Sequence, residues 1–146
     1  MSNYPVTLVD LEQGAVVIGG GDVATRKVQG LLDAGARVTV IAPQFTHELE
    51  DLARAQRIAA LRRAYQPGDL DGARLVIAAT DDPQVNQAVY DEARTRGILV
   101  NVADDPAHCT FHVPAIVRRG QIAIAISTGG ASPALAKHLR AEIEKT

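Results

Sequence analysis

The sequence predicts an α/β fold: a doubly wound parallel sheet followed by a small β-ribbon and a helix. Three observations carry this expectation. Solid apolar runs of strand length alternate with amphipathic stretches through the first hundred residues, the pattern of parallel strands covered on both faces. A glycine-rich turn, Gly19-Gly20-Gly21, stands between a strong apolar run and the helix that follows it. After Asp104 the texture changes: Ile122, Ile124 and Ile126 alternate with Ala123 and Ala125, the period of two that marks a ribbon with distinct faces.

In chain order, "PVTLVDL" reads as a strand, and "AVVIGG" as another after a Gln-Gly turn. "DVATRKVQGLLDAG" sets Val23, Lys27, Leu31 and Ala34 near helical spacing and ends at Gly35, a C-terminal cap. "RVTVIA" is a strand, and "FTHELEDLARAQ" a helix capped by Thr46 with Leu49 and Leu52 on one side. "RIAALRRA" reads as a strand before the loop "YQPGDLDGA", and "RLVIAAT" as the next. "DDPQVNQAVYDEARTRG" is a helix with Pro83 in its first turn and Asp81 or Asp82 as cap, and "ILVNVA" is a strand. "FHVPAIVRRGQIAIAIST" holds two strands joined by "RRG", and "SPALAKHLRAEIEKT" a terminal helix capped by Ser132 with Pro133 at its first position. The expected division is a nucleotide-binding domain over 1–107 and a ribbon-and-helix segment over 108–146. That segment buries little surface alone, so it must pack on the first part or on a second copy of the chain.

A chain of 146 residues is long enough to bury a core, and with 47% hydrophobic but only 3% aromatic residues that core is aliphatic. Fifteen basic against 17 acidic residues leave a formal charge of -2, which offers no basic face to a nucleic acid. The single cysteine, Cys109, has no partner for an internal disulfide, as expected of a reducing compartment. The opening "MSNYPVTLVDLEQG" lacks the basic-then-apolar pattern of a secretory leader, and no apolar run approaches the roughly 18 residues that span a membrane. The expectation is a soluble, cytoplasmic protein.

Gly19, Gly21 and Ala24 fit the G-x-G-x-x-(G/A) pattern of a Rossmann-like dinucleotide site. The first glycine permits the tight turn, the second lets a pyrophosphate approach the backbone, and the small third residue packs helix on strand. Free N–H groups and the helix dipole at Asp22 and Val23 favour phosphate. The acid expected to hold the ribose, some 20 residues on, is missing: Ala42 stands there, followed by Pro43 and Gln44. No Arg or Lys stands in this turn either, so the adenosine falls to backbone groups around Pro43 and Gln44 and to the Gln44 amide, and NAD is favoured over NADP.

"VVIGGGDVATRKVQGLLDAGARVTVIAP", "LVIAATDDPQVNQAVYDEA", "ILVNVADDP" and "FHVPAIVRRGQIAIAISTGGASPALAKHLR" occur in that order. Together they resemble the precorrin-2 dehydrogenase and sirohydrochlorin ferrochelatase family, the N-terminal module of siroheme synthase, over nearly the whole chain. The resemblance implies NAD-dependent oxidation of precorrin-2 to sirohydrochlorin, in some members with insertion of ferrous iron to give siroheme, and a homodimer formed by exchange of the C-terminal elements. It places NAD among Gly19, Gly20, Gly21, Asp22 and Val23, the turn of Pro43 and Gln44, and Thr80 with Asp81. It makes Asp104 the residue implicated in dehydrogenation and chelation. Family members usually continue with further helices where this chain stops at Thr146, as a short form or part of a split system would.

From the residues themselves, Asp104 is either a base at the sheet edge where ligands bind or, with Asp105 and Pro106, the start of a turn. Ser127, Thr128, Gly129 and Gly130 either present N–H groups to the carboxylates of the substrate or make a flexible connection into the last helix. Where Thr128 stands, the family often has serine. Arg26, Lys27, Arg118 and Arg119 read as solvated charges or an attraction for an anionic tetrapyrrole, with solvation preferred for the last two. His108, Cys109 and His112 complete no recognised ligand spacing, so no metal site is expected, and His47 and His138 read as helix-surface residues. The competing reading is a nucleotide-sensing regulatory module without catalysis.

Overall fold

The computed structural model describes residues 3–146; Met1 and Ser2, which open the stretch read for a leader, lie outside the described residues. The chain divides into two compact units: Leu8–Phe111, and His112–Thr146 with the described N-terminal residues up to Thr7.

The larger unit holds strands β1 (Ala15–Ile18), β2 (Val38–Ile41), β3 (Ala59–Leu61), β4 (Leu75–Ala78) and β5 (Leu99–Val102). They form one sheet in the order β3-β2-β1-β4-β5, all parallel. Helices α1 (Asp22–Asp33), α2 (His47–Arg54) and α3 (Pro83–Arg96) connect β1 to β2, β2 to β3 and β4 to β5. β1 is buried at all four positions because both faces are covered, which is why it reads as a solid apolar run. On one face Ala15, Val17, Val38 and Val40 pack with Ala24 and Val28 of α1 and Leu49 of α2. On the other, Val16, Ile18, Val76 and Ala78 pack with Val89 and Ala93 of α3. The order in which the chain adds strands reverses between β1 and β4, the switch point where doubly wound sheets bind ligands at the strands' carboxyl ends.

Two expectations are corrected here. "PVTLVDL" is not a strand: Asp10 sits at φ 60, Leu11–Gln13 form a 3-10 turn, and Val6 and Val9 are exposed. The reason is topological, since both edges of β1 are already taken by β2 and β4. On α1 the buried face is Ala24, Thr25 and Val28, one residue round from Val23, Lys27 and Leu31, because Val23 turns toward the sheet edge, where it lines a cavity. The helix stops at Ala34, and Gly35 follows at φ +78.

In the smaller unit β6 (Ala115–Arg119) pairs antiparallel with β7 (Ile122–Ile126), and α4 (Pro133–Glu144) packs against β6. Gly120 turns the hairpin at φ +56, and the Ser132 hydroxyl caps α4 by accepting from Leu135 N at 3.1 Å. Val117 is buried, yet Ile122 and Ile124 on β7 and Leu135 and Leu139 on α4 are exposed. Among the described residues no helix is long and apolar enough to cross a membrane.

Candidate functional site

The glycine turn is held from two sides. Gly19 sits at φ +130, and a Cβ there would lie 2.3 Å from the Ala79 carbonyl oxygen. A Cβ on Gly20 would lie 1.9 Å from the Gln44 carbonyl oxygen. Backbone bonds lace the same groups together: Gly19 N donates to Ile41 O at 3.0 Å, Ala79 N to Ile18 O at 2.8 Å, and Thr46 N to Gly20 O at 2.9 Å. Thr25 Oγ1 donates to Gly21 O at 2.8 Å and shares a 2.8 Å bond with Thr46 Oγ1, which itself caps α2 through Leu49 N. Gly21 is different, for nothing of the protein lies within 4 Å of where its Cβ would stand.

This packing accounts for the missing ribose acid. Ala42 is only 5% exposed, and its methyl lies 3.0 Å from the Gly20 Cβ position. A carboxylate there would be wedged against the glycine turn and lose its water, a cost no partner offsets.

At the carboxyl edge of the sheet lies a cavity of about 540 Å³. Gly19, Gly20, Gly21, Asp22 and Val23 line it from the glycine turn, Pro43 and Gln44 from the turn after β2, and Thr80 and Asp81 from the turn after β4. The nine residues expected around the coenzyme are therefore brought together. The first bond within α1 runs from Thr25 N to Gly21 O, so the N–H groups ahead of it are left as donors beside the open space at Gly21. These are features a dinucleotide's pyrophosphate needs, and the residues present fit it.

Sequence reasoning missed three contributors. Ala64 and Tyr65, from the loop between β3 and β4, and Val85 of α3 also line the cavity. The Tyr65 hydroxyl donates to Glu92, which also accepts from Gly68 N at 2.9 Å and Arg96 Nε at 3.0 Å. Burial, and then the Glu92 carboxylate, push the Tyr65 phenol above its ordinary range, so it stays a neutral donor. An aromatic residue in a chain with only three tyrosines and two phenylalanines was the one available signal.

Thr80 Oγ1 donates to Asn86 Oδ1 at 2.7 Å, and Asn86 Nδ2 returns a 3.0 Å bond to Thr80 O, which locks this turn. Asp82, not Asp81, caps α3, accepting from Gln84 N at 2.9 Å. Asp81 is left exposed with no side-chain hydrogen bond among the described residues.

Asp104 follows β5 at φ 60, an uncommon conformation for a residue other than glycine. Asp105 performs the turn: its N–H donates to Val102 O at 3.1 Å, and its carboxylate meets His108 Nδ1 at 2.7 Å. The Asp104 side chain is exposed, has no hydrogen-bond partner among the described residues, and does not line the cavity. Cys109 Sγ donates to Asp105 O at 3.2 Å, and burial raises its thiol pKa. The His108 ring meets Tyr90 edge-on with centroids 4.8 Å apart. Among the described residues no group of three His, Cys, Asp or Glu side chains could hold a metal ion.

In the smaller unit Ser127 Oγ accepts from Gly129 N at 3.2 Å, and Thr128 Oγ1 accepts from Ser132 N at 3.0 Å. Gly129 and Gly130 take φ +65 and +85. The two hydroxyls thus shape the connection into α4, a task the threonine hydroxyl performs as a serine would. Arg118 is exposed, and Arg119 donates to the Glu144 carbonyl.

The NAD(P)-binding family model matches residues 8–115, and that of the sirohaem biosynthesis protein central region matches 119–146. A solved structure, "SirC, precorrin-2 dehydrogenase", superposes with a TM-score of 0.83 at 31% identity, covering 97% of this chain and 70% of that one. The chain belongs to the precorrin-2 dehydrogenase family. Within that family it is similar to siroheme synthases: 46% identical over 144 residues to that of Methylobacillus flagellatus and 50% over 130 residues to that of Pseudomonas entomophila. These alignments take in 99% and 89% of this chain but only 31% and 28% of the relatives, so the chain spans less than a third of their length. As in the precorrin-2 dehydrogenase structure it matches, its sheet is the Rossmann type with a small ribbon and helix attached.

Proposed function

We propose that this protein oxidises precorrin-2 to sirohydrochlorin with NAD as acceptor, a step of siroheme formation. The observation that carries the reading is the cavity at the β1–β4 switch point, whose lining joins the glycine turn, the Pro43–Gln44 turn and the Thr80–Asp81 turn. The names of the relatives and of the structural neighbour weigh in its favour against a non-catalytic sensor.

Oxidation removes one hydride and one proton from the macrocycle, giving sirohydrochlorin, NADH and H⁺. The coenzyme supplies the hydride acceptor. The free N–H groups at the head of α1 hold its pyrophosphate, with Gly21 leaving room for the approach. Pro43 and Gln44 receive the adenosine, and the Asn86-locked turn of Thr80 and Asp81 bounds the site from the other strand. Asp104, whose carboxylate is not spent on a turn bond, takes the proton. The same base serves loss of the pyrrole protons if ferrous iron is inserted into sirohydrochlorin. The Ser127–Gly130 turn receives substrate carboxylates through those of its N–H groups that Ser127 Oγ does not hold. The 108–146 segment offers, through the exposed Ile122, Ile124, Leu135 and Leu139, a homodimer contact. The lone cysteine agrees with a cytoplasmic setting.

Anaerobic incubation with precorrin-2 and NAD, following NADH and the porphyrinoid spectrum, tests the reading. Asp104→Asn should bind NADH as the parent does while turnover falls at least about a hundredfold. Full turnover in that variant would remove Asp104 from the chemistry. Ferrous iron added to sirohydrochlorin asks separately for siroheme.

A further inference from the structure

We propose that Glu50 sets the coenzyme preference of this cavity by holding the guanidinium of Arg62, a cation otherwise placed to receive a 2′-phosphate. The inference rests on the cavity being a dinucleotide site and goes beyond it to the ribose end.

In doubly wound sheets the ribose 2′ position falls at the end of the second strand, where an acid selects NAD and an arginine admits NADP. Here the buried Ala42 directly follows that strand, so selection passes to the groups around the following turn. β3 runs beside β2 with Ile41 opposite Leu61, and Ala42 N donates to Leu61 O at 3.1 Å. Arg62, the next residue, therefore emerges level with the Ala42–Pro43 turn. Its guanidinium lies over the Phe45 ring, 5.4 Å from the centroid, and Phe45 directly follows Gln44, which lines the cavity. A cation thus stands beside the turn after β2, just outside the residues that line the cavity, and comes from the end of β3, 18 residues further along the chain than Gln44. No reading of the turn alone would find it.

That cation is committed. Arg62 Nε reaches Glu50 Oε1 at 3.2 Å and Nη2 reaches Oε2 at 2.6 Å, the two-pronged geometry that a guanidinium otherwise offers to phosphate. Glu50 comes from α2, and its carboxyl is held below the usual range by the Arg62 bond first, with Arg54 and His47 of the same helix adding to it. Arg63, in the loop after β3, is bound to Asp69 through both terminal nitrogens at 2.8 Å and is not a substitute. The Arg62 side chain is 49% exposed, so a ligand can reach it. A 2′-phosphate would have to break the Arg62–Glu50 fork and then lie beside the carboxylate it displaced. A 2′-hydroxyl meets neither penalty. Glu50 thus disfavours a 2′-phosphate, as an acid at position 42 would have, from a place where a carboxylate keeps contact with water.

Fluorescence titration of the full chain with NADH and with NADPH tests this. Glu50→Gln keeps the shape and removes the charge. It should strengthen NADPH binding roughly ten- to a hundredfold and leave NADH within about twofold, with the gain shrinking as salt is raised. Adding Arg62→Gln should abolish the gain. An NADPH affinity unmoved by Glu50→Gln, or a gain that survives Arg62→Gln, overturns the inference while leaving the cavity's assignment intact. Failure of the parent chain to bind NADH overturns that assignment and this inference together.

Discussion

At Gly20 a side chain would begin 1.9 Å from the Gln44 carbonyl oxygen, whereas at Gly21 the same position is open. The two neighbours therefore separate folding from binding. Gly20→Ala should cost about 1–3 kcal/mol in urea unfolding, because backbone must move apart. Gly21→Ala should cost less than about 1 kcal/mol, the difference between glycine and alanine at an N-cap, yet weaken NADH at least about tenfold by filling the approach to the pyrophosphate. The pattern of glycines was legible in the sequence. Which of them packs on protein and which faces a ligand was not, since Gln44 lies 24 residues from Gly20. Asp104 poses the converse case: at φ 60 it carries strain that glycine would relieve. Asp104→Gly should stabilise the fold by about 0.5–1 kcal/mol while lowering turnover as Asp104→Asn does. Equal loss of stability in both variants would argue for a purely structural residue.

A hydroxyl pair, Thr25 with Thr46, joins α1 to the start of α2, and Thr46 also caps α2. Thr46→Ala should cost about 1–2 kcal/mol in chemical unfolding, and a double-mutant cycle with Thr25→Val should show coupling of about 0.5–1 kcal/mol. The cap was readable from "FTHELEDL"; its second bond was not, because helical spacing says nothing about which helices meet. The loop between β3 and β4, which brings Tyr65 to the cavity, is anchored by Asp69. The Arg63 guanidinium lowers the Asp69 carboxyl pKa, burial opposes it, and Gln66 N assists. A depressed carboxyl contributes stability that is present above its unfolded pKa and lost as pH falls through the folded one. Asp69→Asn should therefore lower the melting temperature at neutral pH, and the gap should close in acid, below the ordinary aspartate range.

For the molecule as a whole, the smaller unit leaves Ile122 at 65% and Leu135 at 48% exposure, more apolar surface than a ribbon and one helix comfortably show to water. Sedimentation equilibrium should find a dimer, and Ile122→Lys with Ile124→Glu should yield monomers that still bind NADH through the Leu8–Phe111 unit. Persistence of the dimer in that variant would place the contact elsewhere. The alternation that made the ribbon recognisable also implied two faces, but a strand's period cannot say what covers the apolar one.

By itself the sequence determined the parallel strands, their helices, the caps and the glycine turn, because these depend on the spacing of neighbours along the chain. It misread "PVTLVDL" for want of knowing that both edges of β1 were occupied. Only tertiary structure decided that Ala42 is walled in by Gly20, that Tyr65 reaches the cavity, and that Arg62 meets Glu50 near the turn after β2. Those contacts join segments brought together by strand order, and strand order is a property of the closed sheet rather than of any one stretch of residues.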